Sequence, residues 1–306
     1  MGRRGGVNRN GVSHAIQRDI DRVSYLFLLP IACFFLVFVL APMVMGIVTS
    51  MFTYTMRDFS FSGFSNYKRL FTDPVFLRSL WYTFIIVIVA VPLVVMFSLW
   101  TASALSSRSS GVSSTFRGIF YLPVVMGTVP VVVVWKWIFN AYYGILNFIC
   151  KSIGIMPQNV RFDWLGESST AIWCILAILF TTSIGQPIVL YIAALDNVDK
   201  SITEAAEVDG ASHLRTFWQV KWPSIMSTTL YIVVITTINT FQCFALIQLL
   251  TSGGPAYSTS TVMYYLYEQA FTHYNYGYAN AMGVILALVI ALFSALQFRV
   301  MRSEQA

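Results

Sequence analysis

The 306-residue sequence is 57% hydrophobic and 16% aromatic, has 10% charged residues, a formal net charge of +6 and a mean hydropathy of +0.69. A soluble domain carries about 25% charged residues, so too little polar surface exists to cover a water-soluble globule, and the chain reads as an integral membrane protein. Its Lys and Arg lie at the edges of apolar segments, where they meet lipid head groups, so the basic balance does not imply nucleic acid. Of the four cysteines, Cys33, Cys174 and Cys243 lie inside apolar runs and only Cys150 falls in a predicted loop, so neither a disulfide framework nor a metal cluster is indicated.

The N-terminal stretch MGRRGGVNRNGVSHAIQRDIDRV resembles the basic region of a signal peptide. The apolar run after it is too long and lacks a small-x-small cleavage site, which predicts a retained first span. Six apolar runs follow one another at residues 25–52, 79–104, 117–139, 170–195, 224–249 and 277–299. Each is near the roughly 20 residues needed to cross a bilayer as helix. The predicted organisation is all-α: a tail over 1–24, a six-helix transmembrane domain over 25–299 and a tail over 300–306. Pro30, Pro42, Pro92, Pro123, Pro130 and Pro187 fall within the runs. Spanning helices tolerate proline where neighbours satisfy the freed carbonyls, so kinks are expected.

Placing the N-terminus inside puts 12 Lys and Arg on the inner side and 7 on the outer. The positive-inside bias therefore predicts both termini, and the segment about 196–223, in the cytoplasm of a bacterial cell. The outer segment from Leu250 to Tyr276 has no Lys or Arg. Its sequence GGPAYSTSTVMYYLYEQAFTHYNYGYA predicts an interfacial helix plus loop, because Tyr is favoured at the membrane boundary. In the sixth run Ala279, Gly283, Ala287, Ala291 and Ala295 form a stripe of small residues that predicts close helix approach.

The six runs contain no Asp or Glu, and Lys136 sits at the outer end of the third. Ion-coupled carriers and voltage sensors keep ionisable groups in the membrane, and paired acids or an activated nucleophile for an intramembrane enzyme are also missing. No G-x-x-x-x-G-K-[ST] phosphate loop occurs. The chain is thus either a passive channel or facilitator, or a pump subunit whose energy enters from a partner.

Against that background the charge concentration before the fifth run stands out. Eight charged side chains fall between Asp196 and Pro223, and five of the chain's 13 acids lie between Asp196 and Asp209. Ser201-Ile-Thr-Glu204 fits a capping box, predicting a helix over 202–208. Gly210 can end it in the left-handed conformation, Ser212 can cap a second helix, and Pro223 suits the start of the fifth run. The result is a helix-turn-helix at the cytoplasmic face. Ala205 and Ala206 permit close backbone approach, with Glu204, Glu207 and Asp209 as charged anchors. This is either a solvated loop or a surface shaped to be gripped.

The residues Glu204-Ala205-Ala206-x-x-Asp209-Gly210-Ala211, followed by Phe217 and Pro223, resemble the EAA loop of permease subunits of binding-protein-dependent ABC importers. Val220-Lys221-Trp222 departs from the family, which more often has Ile, a small polar residue and Leu there. Leu28-Leu29-Pro30, Tyr121-Leu122-Pro123 and FQCFALIQLLTSGGP (Phe241 to Pro255) are similar to the carbohydrate-uptake branch, the last to the larger subunit of maltose-like oligosaccharide importers. The resemblance implies the type I importer fold without the extra N-terminal helices of some relatives. It implies a coupling helix at Glu204, Ala205, Ala206, Glu207, Asp209, Gly210 and Ala211. It also implies a partner permease, two cytoplasmic ATPase subunits that bind ATP and Mg, and an extracytoplasmic sugar-binding protein, with no catalysis, cofactor or metal on this chain. Segments lining the path for an oligosaccharide then correspond to Gly185, Gln186 and Ile188, and to Asn239, Thr240, Gln242 and Cys243. Tyr231 and Phe241 are candidates to stack on a sugar, and Glu268 is a candidate contact for the binding protein.

Overall fold

The computed structural model describes residues 14–106 and 108–303, so most of the predicted N-terminal tail lies outside the described residues. Within them, four helices are long and apolar enough to cross a membrane, and six spans result if each of two bent pairs is one span. The spans are Ser24–Thr49, Pro74–Ser106, Ser110–Met126 with Thr128–Ile138, Ser168–Ser183 with Gly185–Asp196, His213–Phe241, and Tyr276–Met301. The predicted domain limits are not breaks in the backbone. One helix begins at His14, inside the predicted tail, and the last helix continues to Ser303.

The second span is the hub. Its buried residues pack against the C-terminal half of the fourth span, Gly185–Asp196, and against the fifth, which in turn packs on the sixth. Phe84, Phe241 and Phe293 meet at ring-centroid distances of 5.5–5.9 Å and join the second, fifth and sixth spans. Such pairs add about 0.5–1.5 kcal/mol each beyond area burial. Gln297 Nε2 donates to Thr237 Oγ1 at 2.8 Å between the sixth and fifth spans. By contrast, the first span is unburied within this chain, touching the sixth near its outer end, where Asn280 Nδ2 donates to Thr49 Oγ1 at 2.7 Å.

The prolines act in two ways. Pro42 and Pro223 each follow five π-helical residues, Leu36–Leu40 and Phe217–Lys221. The wider turn absorbs the carbonyl that a proline ring would strike in a regular helix. The fifth span therefore does not start at Pro223 but runs unbroken from His213 to Phe241. Pro130 and Pro187 sit in the first turn of the helices that follow the two bends, where a missing N–H costs no intrahelical bond.

Three runs are broken rather than merely kinked, the fourth by 41° between Ser183 and Gly185. The third bends by 100° at Gly127, whose φ of +74° only glycine adopts readily. The fifth run ends at Phe241 rather than 249, and Ala245–Leu250 is a separate helix packed on Thr128–Ile138.

The segment 250–276 has the helix and loop expected, the helix at Val262–Tyr267, but not as an interfacial element. It folds into the body of the protein, with Ser258, Thr259, Ser260 and Thr261 all buried. Most of these groups find partners: Ser79 Oγ donates to Ser260 Oγ (2.9 Å), Thr261 Oγ1 to the Cys243 carbonyl (2.9 Å), and the Val262 amide to Thr83 Oγ1 (3.0 Å), while the Ser258 hydroxyl has none among the described residues. Asp73 anchors the same region. It caps the second span through the Val75 and Phe76 amides and accepts from Tyr265 and Tyr278 hydroxyls at 2.8 and 2.6 Å. Burial alone would raise this carboxyl, but the four donors outweigh it and hold it below the ordinary value.

The small-residue stripe of the sixth span works only at its outer end. Ala279 is buried and Gly283 faces Leu266, whereas Ala287, Ala291 and Ala295 are exposed and the inward face carries Met282, Leu286 and Phe293. The tightest approach lies one turn earlier, at Gly277, where an added Cβ would sit 2.0 Å from the Phe52 carbonyl of the hairpin Phe52–Tyr54/Phe59–Phe61. Gly277→Ala is expected to cost about 1–3 kcal/mol and lower the melting temperature of the detergent-solubilised protein. Gly283→Ala, meeting only a flexible Leu266 methyl at 3.4 Å, should leave it unchanged. Equal melting of both variants would contradict this account of the contact.

Candidate functional site

The three discontinuities in the spans meet. Gly127 in the third span, Ser183 and Gln186 in the fourth and Gln242–Cys243 after the fifth all border one cavity of about 380 Å³. Non-helical backbone at membrane depth is tolerated only where it is buried in protein or lines a water-filled space, so the coincidence of breaks and cavity marks a site rather than a defect.

Five of the seven residues expected along a path line this cavity: Gln186, Asn239, Thr240, Gln242 and Cys243. Two do not, each for a packing reason. Gly185 lies against the Phe120 carbonyl, which an added Cβ would approach to 2.4 Å, so it is the crossing point of the third and fourth spans. Ile188 is fully buried in the core with Tyr191 and Ile192. The stacking candidates fail as well. Phe241 is fully buried among phenylalanines, and Tyr231 is exposed but does not border the cavity, whose one aromatic side chain is Phe244.

Interhelical hydrogen bonding is the usual use of Asn and Gln in membranes, but Gln186, Asn239 and Gln242 make no side-chain hydrogen bond among the described residues, and all three are exposed. Three unpartnered amides at this depth would be costly against lipid; they fit a face that meets water, a ligand or another subunit. Sequence inspection missed Thr182, Ser183 and Thr236 on the same wall. Their signal was helical spacing: Thr236, Asn239 and Thr240 are at i, i+3 and i+4.

The charged loop folds as a helix-turn-helix, with a different start from the one expected. The helix is Lys200–Val208, and Asp199 rather than Ser201 caps it, its carboxylate accepting from the Ser201 amide at 2.8 Å. That bond holds the Asp199 carboxyl below its ordinary value. Asp is as good a cap as Ser, and starting two residues earlier brings Ser201 into the first turn. The exit is as expected. Gly210 has φ +79°, and the Ala211 amide donates to the Ala206 carbonyl at 3.0 Å, the six-to-one bond of a Schellman motif. Ser212 then caps the next helix by accepting from the Arg215 amide.

This turn stands free. Glu204, Ala205, Asp209 and Gly210 are exposed and Ala206 and Ala211 half-buried, while the Glu207 side chain lies outside the described residues. Val208 is 87% exposed and Leu214 71%, so apolar groups alternate with carboxylates on a surface facing away from the bundle. Such a mixture marks a contact surface. Just before the turn, Asp196 pairs with Arg117 at 3.4 Å and ties the ends of the fourth and third spans together. On the opposite side Glu268 lies at the start of a π stretch, partly buried, with its carboxyl raised by that burial and lowered less by His273. No group of three or more possible metal ligands occurs among the described residues.

Comparison with known proteins agrees with this geometry. Residues 72–303 match the family model described as binding-protein-dependent transport system inner membrane component. A lactose transport system permease protein of Rhizobium radiobacter is 31% identical over 95% of this chain and 98% of its own. A diacetylchitobiose uptake system permease protein of Streptomyces coelicolor is 31% identical over 96% of this chain and 87% of its own. Among solved structures, a chain of a bacterial alginate ABC transporter, crystallised with its alginate pentasaccharide-bound periplasmic protein, superposes with a TM-score of 0.80 at 22% identity, covering 95% of this chain and 98% of that one.

Proposed function

The chain belongs to the binding-protein-dependent transport system inner membrane components, and on that premise we propose that it forms half of the translocation path of an ATP-driven sugar importer. It is a multi-pass membrane protein, and the excess of Lys and Arg on one side supports a cytoplasmic position for both termini and the turn at Gly210. The observation that carries the reading is the cavity where three broken spans expose unpartnered amides and hydroxyls. A passive channel leaves the capped, exposed turn without a purpose.

A second, similar permease completes the path. Of two cytoplasmic ATPase subunits, which hold ATP and Mg and carry out hydrolysis, one grips Glu204, Ala205, Ala206, Glu207, Asp209, Gly210 and Ala211, and the other grips the corresponding loop of the second permease. A sugar-loaded binding protein docks on the outer face near Glu268. Substrate passes along Gln186, Asn239, Thr240, Gln242 and Cys243. The mechanical link is the fifth span: its helix is continuous from His213, three residues after Gly210, to the cavity at Asn239. At 1.5 Å per residue it is a lever of about 40 Å. ATPase closure pulls the turn, the lever tilts, and the wall carrying Asn239 moves against the breaks at Gly127 and Ser183, opening the path outward. Hydrolysis resets it inward.

Affinity purification of the tagged chain from detergent-solubilised membranes tests the partners. An ATPase pair and a second permease should co-purify in one-to-one ratio with the chain. Recovery of the chain alone would overturn the reading.

A further inference from the structure

The cavity also specifies the electrical character of what it passes. Resting on the reading of the cavity as a sugar path, we infer that this importer selects uncharged oligosaccharides and rejects their acidic or phosphorylated counterparts within the membrane path itself, independently of any selection by the binding protein. Among the described residues that line the cavity there is no Asp, Glu, Lys, Arg or His. A carboxylate or phosphate leaving water needs compensating charge, and its desolvation is among the most expensive steps in a protein interior.

The hydrogen-bonding pattern points the same way. Anionic groups only accept hydrogen bonds, whereas each sugar hydroxyl both donates and accepts. Gln186, Asn239 and Gln242 each offer a carbonyl oxygen together with an NH₂ group. Thr182 spends its own proton on the Ile178 and Leu179 carbonyls, at 3.0 and 3.1 Å, leaving only lone pairs for a ligand. These amides donate as well as accept, so the wall matches a polyol, while it offers an anion no full positive charge. The helices beginning at Thr128 and Gly185 do aim their N-terminal ends at the cavity. Each supplies no more than about half a positive charge, and Pro130 and Pro187 remove an N–H donor from the first turn of each.

The complete importer, with its partner permease, ATPases and binding protein, would be reconstituted in liposomes and supplied with matched pairs. Each pair is a neutral disaccharide (lactose, cellobiose, maltose or trehalose) and the same disaccharide with one hydroxymethyl group oxidised to carboxylate. Uptake is expressed per binding protein occupied. The neutral member of the transported pair should move at least tenfold faster, and Gln242→Arg should narrow that ratio at least threefold. Stimulation of ATPase activity by the loaded binding protein reports that the variant is assembled. Comparable uptake of the carboxylate form, binding of that form alone, or a ratio unmoved by Gln242→Arg in an assembled transporter would each overturn the inference. Transport of a non-carbohydrate solute with no disaccharide carried would instead overturn the sugar reading on which it rests.

Discussion

Replacing Gly210 by valine should cut substrate uptake about tenfold and abolish stimulation of the ATPase by the loaded binding protein, while the partner permease stays bound. The argument is local. Gly210 holds φ +79°, and an added Cβ there meets nothing within 4 Å. No packing is lost, so the whole effect arises in the backbone, where the left-handed conformation costs a β-carbon residue roughly 1–2 kcal/mol. The chain relieves this by leaving the left-handed region, which breaks the Ala211-to-Ala206 bond and swings the helix Lys200–Val208 relative to the one starting at His213. A surface built from both helices then no longer matches its partner. Asparagine tolerates the left-handed region better than other residues, so Gly210→Asn should keep most of the uptake. Assembly with the partner permease should be unaffected because the turn is exposed and its main packing within the chain is on its own second helix and π stretch. Wild-type uptake in the valine variant would remove the turn from the coupling pathway.

The exit of that turn was legible in the sequence because glycine at the end of an amphipathic stretch has one physical use there. Its start was not, since Asp199 and Ser201 are equivalent caps and only the folded backbone chooses between them. The same division runs through the membrane part. Apolar length revealed six runs, but hydropathy is blind to the torsion at Gly127 that bends the third by 100°. The resemblance implied path segments at Gly185 to Ile188 and Asn239 to Cys243. It did not distinguish Gln186, which faces the cavity, from Gly185, where the third and fourth spans cross, or from Ile188 in the core. Side-chain direction on a helix follows from neighbours, and the neighbours come from distant elements, as with Ser79 and Ser260, 181 residues apart. The buried Ser258–Thr261 segment was misread for the same reason. A run of hydroxyls is a surface loop unless other elements pair with it, and here Ser79 donates to Ser260 and the Cys243 carbonyl accepts from Thr261.

Asn239→Leu combined with Gln242→Leu should lower uptake by ten- to a hundredfold without reducing the amount of assembled transporter. In the described chain neither side chain has a hydrogen-bond partner and both border the cavity. Their removal therefore orphans no buried group, and the usual penalty of deleting a polar residue from a membrane helix does not arise. Leucine suits the membrane at least as well, so the chain should insert and pair normally. What disappears is the set of bonds offered to a passing ligand. At about 0.5–1.5 kcal/mol each, two such groups account for the expected range, since 1.4 kcal/mol is tenfold. Tyr231→Leu provides the contrast, because Tyr231 is exposed yet does not border the cavity, and its uptake should equal wild type. Two results would separate the alternatives. Full uptake in the double variant would mean that the cavity is not the path. Loss of the partner permease on purification would mean that the two amides bond across the subunit boundary, and the polar wall would then belong to the interface rather than to the substrate.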